Sequence, residues 1–425
     1  MTKIHLPEAV EAALRFEEII LPNGLTVRVL PMPGYAAVHA VYATRFGSIH
    51  RAFSHNGQQV AMPAGVAHFL EHKMFENEDG VDAFSLYAET GASANAYTGF
   101  DATSYIFTAA SEIERNLDIL LSFVGHPHFT EKTVQKEQGI IAQEIKMYED
   151  HAELRAAYAT LECLYHHHPL RDEIAGTVES ISGITPELLY SCTNAFYTPS
   201  NMALCVAGNI TVPQVLAAVE RAGLPQQRAA LPEVSFPEEP EGIFEAERHF
   251  SMSVAMPILS VGFKEPALAG STVKTEVVCD LLTELLCGET SKLYRRLYDE
   301  GLVQPGFEGD YGCHAGSLYF AFGGETPQPQ RVQEELMKEI ERQRREGVDT
   351  EQFELCRRMM YGSAVADLES VERVAGALSG SFVHGRTPAA DLAAVAEVTV
   401  QDVEEALQTM LQPQRSATVV VEPAE

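Results

Sequence analysis

The sequence predicts an α+β protein of two homologous domains, each a mainly antiparallel sheet with helices packed on one face. Three observations carry this reading. Strand-like patterns open each half of the chain and helical periodicity fills the remainder, which suits helices layered on an antiparallel sheet. A proline-rich stretch separates halves of similar length. Two mixed helix–strand passages occur once in each half, in the same order.

The strands come first. "LTVRVLPMPGYAAVHAVYATRFGS" (25–48) opens the first half with two strand patterns, and "SMSVAMPILSVGFKEP" (251–266) opens the second. Midway through each half, "LYAETGASANAYTGFDATSYIFTAA" (86–110) and "LYDEGLVQPGFEGDYGCHAGSLYFAF" (297–322) run from a helix end through glycine into alternating strands. Late in each half, "ELLYSCTNAFYTPSNMALCVAGNI" (187–210) and "DVEEALQTMLQPQRSATVVVEP" (402–423) read as helix, proline-containing turn and buried strand. Long helical patterns such as 273–287 and 330–346 fill the rest. Between the halves, "AGLPQQRAALPEVSFPEEPEG" (222–242) carries four prolines, several acids and no apolar period. The expected division is therefore a domain over 1–221, a linker over 222–245 and a second domain over 246–425. Two such halves facing one another would enclose a space.

Composition sets the class. At 425 residues and 46% hydrophobic content the chain can bury a large core. No stretch of about eighteen apolar residues argues for a membrane span, and the first twenty residues lack the apolar core and basic flank of a secretion signal. The seven cysteines are odd in number, scattered and without a CxxC pair, which predicts free thiols in a reducing cytoplasm. A net charge of −30 is the opposite of what nucleic-acid binding needs. It serves solubility, and a sharper reading is an acidic cavity that attracts cationic peptides.

One short stretch points to chemistry. Just before "GVAHFLEHKMFENEDG" (65–80), Pro63 is expected in the first helical turn, and within the stretch Val66, Phe69, Leu70 and Met74 form a buried face. His68 and His72 then lie one turn apart on the same side, within reach of one ion. Glu71 projects at the edge of the same arc, close enough to take a proton from a water attacking a carbonyl. Chance gives roughly 0.07 occurrences of H-x-x-[DE]-H in such a chain, so the pattern calls for an explanation. A third ligand can come from the helix "TEKTVQKEQGIIAQEIKMYED" (130–150), which offers Glu137 and Glu144. Seven residues apart is about two turns, so both carboxylates point the same way, one to bind and one to orient. The run His166, His167 and His168 competes poorly, because adjacent residues share no face and His168-Pro169 implies a loop.

The H-x-x-E-H at 68–72 followed by E-x6-E at 137–144 resembles the inverted-motif zinc peptidases of the pitrilysin family. The resemblance runs over most of the chain, with "ASANAYTGFDATSY", "HPLRDEIAGTVESISGIT" and "FYTPSNMALCVAGNI" among the matching segments. It implies one Zn2+ per chain held by His68, His72 and Glu144, with Glu71 as general base and Glu137 as supporting carboxylate. It implies a half clam-shell fold. It also implies that Asn95, Ala96, Tyr97 and Thr98 lie on a strand that binds an extended peptide substrate by β-augmentation. His2Glu with an open position suits zinc, and manganese or cobalt would also fit.

The same resemblance exposes a gap. The family grips substrate with an R-x6-Y pair on the shell opposite the metal. In "SKLYRRLYDEGLVQPGF" (291–307) those positions fall on Leu297 and Gln304, neither of which can replace a guanidinium or a phenol. The expectation is a zinc endopeptidase working as a heterodimer with a metal-free homologue that supplies the pair, a homodimer being the lesser arrangement. The other readings are a non-catalytic zinc-binding subunit of a larger assembly and a peptidase that trims one dedicated peptide.

Overall fold

The structure, a computed structural model, describes residue 10 and residues 14–266 and 272–424. In the first half the strands are β1 (Glu17–Ile20), β2 (Thr26–Pro31), β3 (Val38–Thr44), β4 (Ala52–His55), β5 (Gln58–Ala61), β6 (Ser93–Thr98), β7 (Thr103–Ala109) and β8 (Met202–Gly208). Then follow β9 (Glu233–Val234), β10 (Glu247–Met252), β11 (Ile258–Lys264), β12 (Glu308–His314), β13 (Ser317–Glu325) and β14 (Ser416–Pro423). The helices that matter for the site are α1 (Val66–Met74), α2 (Glu131–Glu149), α3 (Ala152–Leu164) and α4 (Val178–Ser182). Their counterparts are α5 (Val273–Cys287), α6 (Thr350–Asp367), α7 (Val371–Val383) and α8 (Pro388–Glu397).

Two sheets carry the repeat. The first runs β1-β2-β8-β3-β7-β6 and the second β10-β14-β11-β13-β12. Without the extra edge strand β1, the two orders correspond strand for strand. In each sheet a single pair is parallel, β2 with β8 and β10 with β14, and every other pairing is antiparallel. A small sheet β5-β4-β9 ties the segment between the halves to the first. The segment is not merely loose chain. Glu239 accepts hydrogen bonds from the backbone N–H groups of His166, His167 and His168 at 2.9, 2.7 and 2.8 Å and from Lys264 Nζ at 2.5 Å.

Both faces of each sheet are covered, which goes beyond the expected single helical layer. On β3, Val38, Ala40 and Tyr42 enter the main core, while Val41 and Ala43 point the other way. That second face is closed by α7, a helix from late in the chain, through Val371, Val374, Ala375, Leu378 and Phe382. Their spacing is an amphipathic stripe. The exchange is reciprocal: α3, from the first half, packs on β11 and β14 through Tyr158, Leu161 and Leu164. A large apolar side chain contributes about 1.5–3 kcal/mol when fully buried, so two such helices lock the halves together. Helix exchange leaves no local signature, because the helix pattern says which face is apolar but not which sheet receives it.

Close approach sets the residue types. Thr160 Oγ1 on α3 donates to Ser260 Oγ at 2.7 Å, and Gly262 leaves room for Thr160 and Leu164. Among the described residues no helix is long and apolar enough to cross a membrane, and all seven cysteines are free.

A Cβ built at Gly262 would overlap Thr160 Cγ2, whose side chain is fixed by its hydroxyl bonds to Ala156 O and Ser260. Gly262→Ala is therefore expected to destabilise the protein by about 1–3 kcal/mol. A lowered midpoint in urea unfolding checks it, and an unchanged midpoint would show that α3 shifts freely on the sheet.

Candidate metal centre

The metal helix starts where two chain segments touch backbone to backbone. Gly65 is the N-cap of α1 with φ 91°, and a Cβ there would lie 2.5 Å from Ala175 O. Gly176, with φ 73°, faces Ala64 O in the same way, at 2.6 Å. Only glycine fits both the left-handed φ and the contact. The helix thus begins at Val66, and Pro63 lies before it. The expected proline start is corrected: the glycine crossing sets the entry angle instead. As predicted, Val66, Phe69, Leu70 and Met74 are buried in the core beneath the first sheet.

Helix α2 brings the acids. Its start is a capping box between Thr130 and Thr133, and Val134, Ile141 and Ile145 bury one face. Gln138 Nε2 anchors it to the end of α4 and the turn after it by donating to the carbonyls of Ile181, Ser182 and Ile184 at 3.3, 3.3 and 3.1 Å. The seven-residue spacing then sets Glu137 and Glu144 against α1. Glu144 Oε1 lies 3.6 Å from His68 Nε2, and its Oε2 lies 3.4 Å from His72 Nε2. Glu137 Oε1 is 3.2 Å from His72 Nδ1, fixing that ring from behind. Glu71 Oε2 accepts from Thr98 Oγ1 at 2.5 Å, so the last residue of β6 orients it.

These donors suit a metal. Ligand atoms at about 2.0–2.1 Å from one ion at tetrahedral angles stand about 3.3 Å apart, close to the separations observed. His68, His72 and Glu144 are the single group of three candidate ligands among the described residues, with all ligand atoms within 4.8 Å of one another. Among the described residues no Lys or Arg side chain pairs with Glu71, Glu137 or Glu144. Three carboxylates thus meet with only imidazoles to answer them. The protein groups alone already bias the charges: His68, aided by Tyr148 against the effect of burial, holds the Glu144 carboxyl down to about 2. Burial works to lower the pKa of His72, but the Glu137 hydrogen bond and the charges of Glu144, Glu137 and Glu71 raise it.

The group forms a wall between two cavities. One, of about 540 Å³, is lined by His68, Glu71, Glu144 and the residues of β6 from Asn95 to Thr98. The other, of about 470 Å³, continues past Glu71 and His72 along Asn95 and Ala96. β6 is the edge of its sheet, paired with β7 alone. Its side chains alternate: Asn95 and Tyr97 are exposed, Ala96 is buried and Thr98 is half-buried with its hydroxyl on Glu71. Of the four β6 residues singled out from the sequence, Ala96 can offer a ligand only its backbone.

Tyr148 was missed by sequence reasoning. Its hydroxyl donates to Glu144 Oε1 at 2.6 Å and lines the larger cavity. The bond pushes the Tyr148 phenol up to about 12. An E-x3-Y spacing on a helix was the available signal, since i and i+4 share a face. His166, His167 and His168 lie in a loop, as expected, and none of them lines either cavity at the centre. Leu297 is fully buried in the second core and Gln304 is half-buried, so neither forms a substrate grip.

Residues 60–178 match the family model described as Insulinase (Peptidase family M16), and residues 183–360 match the one described as Peptidase M16 inactive domain. The chain is 37% identical over 410 residues to the "Uncharacterized zinc protease YmfH" of Bacillus subtilis, covering 95% of each. It superposes on the crystal structure of an M16-like peptidase from Alicyclobacillus acidocaldarius with a TM-score of 0.93 and 35% identity, over 100% of both chains. Pitrilysin matches in fold, with a TM-score of 0.75 at 18% identity, over 97% of this chain but 45% of its own.

Because Tyr148 fixes the Glu144 carboxylate, Tyr148→Phe is expected to weaken metal binding by about 10- to 100-fold. Glu144→Gln, which removes a charged ligand, is expected to lose the metal on purification. Competition with a chromogenic chelator measures both. A Tyr148→Phe affinity equal to wild type would reduce the tyrosine to a lining residue.

Proposed function

The chain belongs to the insulinase (M16) family of peptidases, and from that premise we propose that it is a zinc-dependent endopeptidase cleaving peptides or short unfolded segments in an enclosed chamber. The observation that carries the reading is the convergence of His68, His72 and Glu144 with Glu71 beside them. Zinc held by those three ligands would act as a Lewis acid toward the scissile carbonyl and make water a better nucleophile near neutral pH. Glu71, oriented by Thr98, takes the proton from the attacking water and returns it to the leaving amine. Glu137 holds the His72 ring in the tautomer that presents Nε2 forward. The free edge of β6 receives the peptide as an added strand, with the two cavities taking side chains on either side of the scissile bond.

In this reading the chain is the catalytic partner of a metal-free homologue. Support comes from the burial of Leu297, which leaves the family's gripping arginine without an equivalent on this surface. It also comes from the match to less than half of pitrilysin's length, which leaves room for a second half of similar fold. Seven free thiols favour a cytoplasmic location.

Glu71→Gln is expected to keep its metal yet lower hydrolysis of quenched-fluorescent peptides by about 10²–10⁴-fold. Wild type alone should be nearly silent and become active when mixed with a metal-free homologue. Full activity from the chain alone would overturn the pairing. A metal-loaded pair silent toward every peptide would overturn the catalytic reading and favour an assembly role.

A further inference from the structure

The repeat places a second cavity where the metal cavity has its counterpart. The metal cavity lies between α1, β6, α2, α3 and the segment leading into α4. A cavity of about 270 Å³ lies between α5, β12, α6, α7 and α8, the matching elements of the second half. Glu276 and Asp280 stand one turn apart on α5, the spacing that His68 and His72 have on α1. Here a guanidinium serves as the cation: Arg386 Nη2 lies 2.7 Å from Glu276 and its Nε 2.7 Å from Asp391. Asp280 is left over. It accepts one hydrogen bond, from Tyr311 Oη at 3.3 Å, and pairs with no Lys, Arg or His among the described residues. Apart from Arg373 and Asp367, the remaining wall is largely apolar, with Val277, Val374, Ala377 and Leu392.

We propose that this cavity is a second ligand site, distinct from the metal centre, which takes a primary alkylamine with its ammonium on Asp280. The volume decides the size: it falls just below the range of about 300–1,000 Å³ typical of drug-sized ligands, so one side chain or a small molecule fills it. The acceptors decide the head group. One carboxylate and the Tyr311 oxygen suit the three donors of an ammonium, whereas a planar guanidinium favours a carboxylate with both oxygens free. A divalent ion would need further ligands that do not converge here. The alkyl body meets the apolar wall. Burial, with Glu276, Asp310 and Glu284 nearby and Tyr311 opposing, pushes the Asp280 carboxyl up to about 6, so it is charged in mildly alkaline solution. Arg386 and Asp391 from the far wall answer one another, as do Arg373 and Asp367, 3.9 Å apart. The amine can come from a lysine side chain of a peptide or from a free small amine.

Saturation-transfer NMR on the full chain at mildly alkaline pH tests this with n-butylamine and the neutral probe n-butanol. Butylamine should bind wild type saturably and Asp280→Asn at least about tenfold more weakly. Butanol should bind both proteins alike and weakly. Ala364→Leu, which narrows the cavity from α6 and leaves the carboxylate intact, should abolish butylamine binding even if Asp280→Asn does not fold. Blocked lysine (Nα-acetyl, N-methylamide) binding as well as butylamine supports a peptide side chain as the source; butylamine binding alone supports a free amine. The proposal is overturned if wild type shows no saturable butylamine binding, if Asp280→Asn binds as tightly, or if Ala364→Leu leaves binding undiminished.

Discussion

The centre of this molecule rests on a charge imbalance held in place by apolar packing. Burying Val66, Phe69, Leu70 and Met74 beneath the first sheet fixes α1, and with it the direction of His68, Glu71 and His72. Burying Val134, Ile141 and Ile145 fixes α2, and with it Glu137 and Glu144. The two helices therefore present three carboxylates to two imidazoles, with no Lys or Arg among the described residues paired to them. Such an array is unfavourable in a partly desolvated site unless a cation enters it. The hydrogen bonds donated by Thr98 to Glu71, by Tyr148 to Glu144 and by His72 to Glu137 keep the acids from turning away to solvent.

The second half meets the same problem with a different answer. Its corresponding cavity also has acids one turn apart on the helix that faces the edge strand, but Arg386 brings the positive charge covalently. The guanidinium donates a hydrogen bond to Glu276 and stands in ion-pair contact with Asp391, so the positive charge comes with the chain itself. One topology thus supports a site that must recruit its cation and a site that carries its own. The fold supplies a cavity at the sheet edge; side chains decide what it holds.

Local and periodic features were legible in the sequence; close approach and long-range exchange were not. The i, i+4 histidines and the seven-residue spacing of Glu137 and Glu144 depend only on helical geometry, and these groups meet as that geometry requires. The paired strands repeat because their apolar patterns repeat. Pro63 misled because a proline before a helix looks the same as one inside its first turn, and the crossing of Gly65 with Gly176 joins segments far apart in the chain. Thr98 was chosen for its strand, yet its hydroxyl serves Glu71, which needs β6 and α1 side by side. Tyr148 had a readable spacing. Arg386 had none, since it reaches Glu276 across 110 residues.

Helix exchange constrains how the centre can move. Tyr158 on α3 lines the metal cavity, accepts a hydrogen bond from Ile174 N–H at 3.2 Å, and packs in the same cluster as Ala417 and Val419 of the second sheet. The β6–β7 and β12–β13 hairpins also meet, through Asp101 with His314 and Phe100 against the His314 ring at 4.9 Å. One wall of the metal cavity is therefore part of the second half's packing, and the strand that orients Glu71 ends at a contact with it. Swinging the halves apart would strip α3 from β11 and β14 and α7 from β3 and β8, exposing two apolar faces at once. That loss is large beside the few kcal/mol that govern domain opening. A swing of one half against the other therefore requires unpacking both exchanged helices. The same packing that holds His68, His72 and Glu144 in register binds the two halves of the chain into one framework.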